Sequence, residues 1–195
     1  MVTIAVIVKQ ARRNQAPDNC VMKRPNTWIA ALAAWSAVAC SPALDWREFV
    51  PEGSGLIATF PCRPERQTRP VTLAGAKVPM TVLACTADGA TYALGFVTVV
   101  DPGRITATLA ELRASAVANL QGAAVEVAPL LIKGMSANDQ AARLTFAGRL
   151  PNGAAVQEHA AFFTHGLHVY QATVFGAKPA RRATDTFLGG LKFPT

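Results

Sequence analysis

Three histidines hold most of the chain's capacity for acid–base or metal chemistry, and they lie close together: His159, His165 and His168. If the flanking segments pair as a hairpin with His165 in the turn, His159 and His168 come within a few residues of facing each other, with Glu158 beside them. Two imidazoles and a carboxylate can hold a transition metal or move a proton. Alternation along a strand works against this set, because Glu158 and His159 must point to opposite faces. Ordinary surface or hydrogen-bonded histidines are therefore expected, with a site near His159 and His168 as the alternative. Other chemistry is not written into the chain. It has no G-x-S-x-G, no P-loop and no GxGxxG. Gly53-Ser54-Gly55 reads as a turn before a strand, Ser115 falls on a helix with no base at hand, and the acids are scattered singly. No catalytic residue, metal or cofactor is expected, and the chain does not read as an enzyme.

The four cysteines carry a different message: Cys20, Cys40, Cys62 and Cys85. Met22-Lys23-Arg24 is a basic start, and Trp28 to Ala39 is an apolar run of about a dozen residues, the length of a secretory signal and too short for a membrane span of about 20. The run ends Ala37-Val38-Ala39-Cys40, which resembles a bacterial lipobox. In that motif small residues precede a cysteine that receives diacylglycerol and palmitate and becomes the new N-terminus. The resemblance departs at Ala37, where leucine is favoured, and Ala37-Val38-Ala39 also satisfies the ordinary A-x-A cleavage rule. Lipidation at Cys40 is the expectation, with simple secretion or an uncleaved form as alternatives. Ser41 resembles the outer-membrane sorting signal rather than the inner-membrane aspartate. Residues 1–21, an apolar octet followed by a basic polar stretch, read as an extension from a start taken too early, with Met22 as the start; a long signal with an unusual leader is the rival.

Export sets the context for the rest. The 195-residue chain has a formal charge of +7. Lys9, Arg12, Arg13, Lys23 and Arg24, against Asp18, place much of that charge ahead of Cys40, so the basic balance does not point to nucleic acid. Two local clusters remain, Arg63/Arg66/Arg69 and Lys178/Arg181/Arg182. They read as solvated edges and helix faces, with anionic lipid headgroups as the functional alternative. Cys62 and Cys85 form an even pair in an oxidising compartment and are expected to bridge, closing a loop of about two dozen residues worth roughly 3 kcal/mol. Two buried thiols are the alternative. No CxxC accompanies them, which argues against zinc.

The elements that would position these residues follow from periodicity and punctuation. Residues 40–45 read as anchor and tether, and residues 46–195 as a single domain. Strands are expected at Trp46–Val50, Gly55–Phe60, Gln67–Leu73, Lys77–Thr86 and Thr91–Val100, with Asp88-Gly89 as a tight hairpin turn. Asp101-Pro102-Gly103 breaks the sheet. Ile105, Leu109, Leu112, Ala116 and Leu120 then recur at helical spacing, an amphipathic helix of roughly 16–18 residues with Thr108, Glu111, Arg113 and Ser115 on its other faces. Strands resume at Val125–Lys133, Asp139–Leu150, Ala154–Thr164 and Leu167–Phe175. Pro179 opens a terminal helix ended by Gly189-Gly190, and Leu191–Phe193 reads as a last short strand. Hairpin-joined strands cannot be parallel neighbours, so the class is α+β: an antiparallel sheet packed by one long helix and a C-terminal helix.

This order of elements, with Phe60-Pro61, Pro64, the hairpin pair, the long helix, the meander and the closing Phe187-Leu188…Leu191-Lys192-Phe193, resembles the PsbP-like superfamily. The resemblance covers most of residues 46–195. It departs after Phe-Pro, where a glycine is common in the family and Cys62 stands here. It implies an α/β/α sandwich and a binding or accessory role, and carries over no catalytic residue. The expectation is a non-catalytic envelope lipoprotein, held at the outer membrane facing the periplasm through Cys40, whose domain binds an envelope protein partner or small ligand. The alternatives are a periplasmic enzyme or metal-binding protein with a site near His159 and His168, and a secreted or periplasmic soluble protein if Cys40 is not lipidated.

Overall fold

The computed structural model describes residues 44–194. The leader 1–21, the signal segment 22–39 and Cys40 therefore lie outside the described residues.

Seven strands form one antiparallel sheet: β3 Glu65–Leu73, β4 Ala76–Ala87, β5 Ala90–Thr98, β6 Ala123–Ala128, β7 Ala142–Arg149, β8 Ala155–His165 and β9 His168–Gly176. Their order across the sheet is β3-β4-β5-β9-β8-β7-β6. A separate ribbon pairs β1, Arg47–Phe49, with β2, Ala58–Phe60. The turn chemistry is local. Asp88 and Gly89 adopt φ of 48° and 71°, the left-handed pair that a two-residue hairpin needs, and aspartate and glycine tolerate it best. Between β5 and β6 lie a short 3-10 turn, Pro102–Arg104, and the long helix α1, Ile105–Asn119. Asp101 caps that turn by accepting from the Gly103 amide at 2.9 Å. The closing helix α2 is Arg181–Gly189. The class is thus mixed α+β, a mostly antiparallel sheet with two helices.

Side-chain alternation sorts the core onto the two faces of the sheet. Leu109, Leu112, Ala116 and Leu120 from α1 and its end pack with Ala93, Val97, Phe162, Val169 and Phe175. Phe187, Leu188 and Leu191 from α2 and its end pack with the alternate residues Tyr92, Leu94, Phe163, Tyr170 and Val174. On the α2 side the rings meet edge to face, Phe60–Phe187 at 5.1 Å and Tyr92–Phe187 at 5.5 Å. Such pairs add about 0.5–1.5 kcal/mol beyond the area they bury. The β1–β2 ribbon lies on this same side, where Phe49 meets Phe60 at 5.9 Å and Trp46 meets Tyr92 at 6.2 Å.

Several expectations need correction. Helix α1 has 15 residues, and Thr108 and Ser115 lie buried against the sheet rather than on an outer face. Its apolar stripe exists, but Ala107, Ala114 and Ala118 stand exposed on the far side, so the helix contrasts weakly from face to face. The strand expected at Val125–Lys133 ends at Ala128, because Pro129 cannot donate to a ladder. Past it, Ile132 plugs the α2-side core while Leu131 is 93% exposed. Leu191–Phe193 is no strand; Lys192 makes isolated bridges to Ile57 and Lys133. The second strand is shorter than expected, with Ile57 held only by its bridge to Lys192.

Candidate functional site

The sheet register decides the histidine question. His159 sits opposite Thr145 on one side and Val174 on the other, whereas His168 sits opposite His165. The histidine pair that faces is therefore His165/His168, and His159 is displaced from His168 by six positions along β9, from His168 to Val174. His165 closes β8 rather than occupying the turn, which is made by Gly166 and Leu167. Among the described residues, no three His, Cys, Asp or Glu side chains gather as a metal set.

Each imidazole has a structural partner. His159 is half-buried and shares a 3.1 Å hydrogen bond between Nδ1 and the Thr145 hydroxyl. Burial and the nearby Arg143 guanidinium lower its pKa, against weaker opposing pulls from Asp185 and Glu126, so it is held neutral. His165 donates from Nδ1 to the Gly134 carbonyl at 2.7 Å and stacks on Phe193 with ring centres 4.1 Å apart. His168 lies beside Phe96 and Tyr170. The buried Tyr170 hydroxyl in turn donates to the Ser54 carbonyl. Ser54 itself is buried, donating to the Pro51 carbonyl at 2.7 Å and accepting from the Leu56 amide at 3.1 Å, so its hydroxyl ties a turn together. These groups pin the irregular segments 51–57 and 132–136 onto the sheet.

The cysteines expected to bridge do so: Cys62 and Cys85 are disulfide-bonded, 23 residues apart, joining the approach to β3 to the late part of β4.

Glu158, the neighbour of His159, is a strongly perturbed carboxyl. Glu158 lies on the opposite face from His159, in phase with Val156, Ala160 and Phe162, and is 1% exposed among the α1-side core residues. Burial pushes its pKa up to about 7, while a 2.7 Å hydrogen bond donated by the Thr173 hydroxyl to Oε1 pulls the other way. Oε2 has no protein partner among the described residues, and neither amide atom of the fully buried Gln171, two residues before Thr173, has one. The signal that finds Glu158 is alternation: a glutamate in phase with a phenylalanine two turns of the pleat away must point inward. The carboxyl can hold a proton near neutral pH, but the sheet and α1 seal it from any substrate.

Among the described residues an open groove of about 260 Å³ lies between α1 and edge strand β6. Leu144, Val125 and Val127 form its floor, and Ala110, Ala114 and Val117 form the helix wall. The small side chains of Ala110 and Ala114 leave this part of the sheet uncovered, and Val127 is 58% exposed. Arg113 stands at the groove and donates to Gln140, at 2.8 Å to its carbonyl and 3.2 Å to Oε1. These partners are neutral, so among the described residues the guanidinium charge is not neutralised by an ion pair.

No protein-family model matches the chain, and no curated protein matches it either.

Proposed function

We propose that this chain is a non-catalytic envelope lipoprotein, anchored through acylated Cys40 at the outer membrane facing the periplasm, whose domain binds a protein partner or small ligand at the membrane surface. The observation that carries the binding role is the α1–β6 groove, which combines an apolar floor, an exposed edge strand and one uncompensated cation at Arg113. Exposed apolar surface with a few polar groups at its rim is the usual mark of a recognition site. The histidines and the Glu158 carboxyl support the non-catalytic role, since His159 and His165 are engaged in structural hydrogen bonds, His168 packs beside Phe96 and Tyr170, and Glu158 is sealed in the core. A helix on each face of the antiparallel sheet supports reading the fold as the α/β/α sandwich of the PsbP-like superfamily. The anchor is supported by Ala37-Val38-Ala39-Cys40 and the basic start at Lys23-Arg24.

The test is cross-linked capture from intact cell envelopes with three forms: wild type, Val127→Asp and Cys40→Ala. A carboxylate on the groove floor should remove the specific partners without unfolding the domain, because Val127 is exposed. Cys40→Ala should release the protein from the membrane and deplete membrane-embedded partners. An unchanged partner set with Val127→Asp would overturn the groove as the binding surface.

A further inference from the structure

The described chain enters the domain at one particular end of the sheet. The Asp45 amide donates to the Pro61 carbonyl at 2.8 Å, next to the Cys62–Cys85 disulfide. Cys85 lies just before the β4–β5 turn at Asp88-Gly89. The register brings the same end of the other strands there: β9 finishes at Gly176 opposite Ala90, β8 begins at Ala155, and β7 finishes at Arg149 opposite Ala155.

Exposed cations collect at this end. Arg63 immediately precedes β3, Arg149 ends β7, Lys178 follows β9, and Arg182 is in the first turn of α2. Among the described residues none of these four has an ion-pair partner; Arg149 donates only to the Gly153 carbonyl of its own hairpin turn. The acids nearby are Glu65, Asp88 and Asp45, and Asp45 is already paired to Arg47 at 2.6 Å. Positive charge therefore exceeds negative charge at the end where the tether attaches.

We infer that this end is a docking surface for anionic lipid headgroups, and that the domain sits on the membrane with the Asp88-Gly89 turn towards the bilayer. The inference rests on the Cys40 anchor proposed above for its orientation. Leu44 is the fourth residue after Cys40, and an extended chain spans at most ~3.6 Å per residue, so the acylated residue lies within about 14 Å of Leu44. A tether that short holds the basic end near the headgroups, where exposed cations interact despite a screening length of about 8 Å. Each lysine or arginine so placed strengthens attachment about five-fold.

The experiment uses the secreted Cys40→Ala chain, which has no acyl group, in sedimentation with vesicles of phosphatidylglycerol and phosphatidylcholine, or of phosphatidylcholine alone. Binding to the anionic vesicles alone, lost at high salt, is expected. Arg63→Gln, Lys178→Gln and Arg182→Gln together should weaken it about 100-fold. The charge-matched variant Lys77→Gln, Arg104→Gln and Lys133→Gln, at the other end of the sheet, should weaken it far less. All six positions are exposed on the surface and none belongs to either core cluster, so folding serves as a common control by circular dichroism. Absence of binding to anionic vesicles, or equal loss in the two triple variants, would overturn the inference. Because no acyl chain takes part, this outcome is independent of whether Cys40 is lipidated, which the mass of the native protein decides.

Discussion

Replacing Glu158 with glutamine should change how stability depends on pH more than it changes stability itself. In the folded chain the carboxyl pKa is about 7, against an ordinary value of 4.5. Between these values the native protein keeps a proton that the unfolded chain has released. A state that binds more protons loses ground as pH rises, so this group costs stability progressively from about pH 4.5 to pH 7 and by a constant amount above. At 1.36 kcal/mol per pH unit the loss is about 3 kcal/mol. Glutamine fills nearly the same volume and can still accept from the Thr173 hydroxyl, but it does not titrate. Urea unfolding at pH 5.0 and pH 8.5, followed by circular dichroism, reads the difference. About 2.5 kcal/mol of this loss falls between the two pH values, so with a urea slope of about 2 kcal/mol/M the wild-type midpoint should fall by about 1.3 M more than that of Glu158→Gln. All other titrating groups, His159 included, are common to the two proteins. Equal midpoint changes in both would refute the reasoning, since a buried carboxyl with a raised pKa cannot leave the pH dependence untouched.

Three further outcomes follow from particular contacts. Thr173→Val removes the hydrogen bond that holds the Glu158 pKa down, so the variant should lose about 1.5–3 kcal/mol at pH 8.5 and visibly less at pH 5.0 in the same urea assay. Gly148→Ala would put a Cβ 2.8 Å from the Leu120 Cβ and closer still to the Leu120 carbonyl, which accepts from the Arg149 amide; calorimetry should show a loss of about 1–3 kcal/mol. Replacing Cys62 and Cys85 together by alanine opens the loop they close and should cost about 3 kcal/mol in urea unfolding, while wild type in reductant should approach the variant.

The fold was legible where local signals and tertiary packing agree. Asp88-Gly89 announces its turn because few other pairs accept two left-handed residues, and the Leu109–Leu112–Ala116 stripe announces α1 because it must cover the sheet. The Pro129–Ser136 segment misleads because Leu130-Leu131-Ile132 looks like a strand, yet only Ile132 is buried and the proline has already closed the ladder. At the site, proximity along the chain suggested the wrong histidine pair. A two-residue turn after His165 sets His168 opposite it, and His159, six residues before His165, is carried up the hairpin to face Val174. Glu158 was legible by alternation, but its environment was not, because the absence of a cationic partner is settled only by which strands flank β8. The groove depends on how far α1 leaves β6 uncovered, a packing outcome that no local pattern encodes.

The intact mass of the protein extracted from cell envelopes decides whether it is a lipoprotein. The expected species begins at Cys40 and carries the added mass of diacylglycerol and a fatty acyl group. A mature N-terminus at any other residue, or an unmodified Cys40, would overturn the anchor.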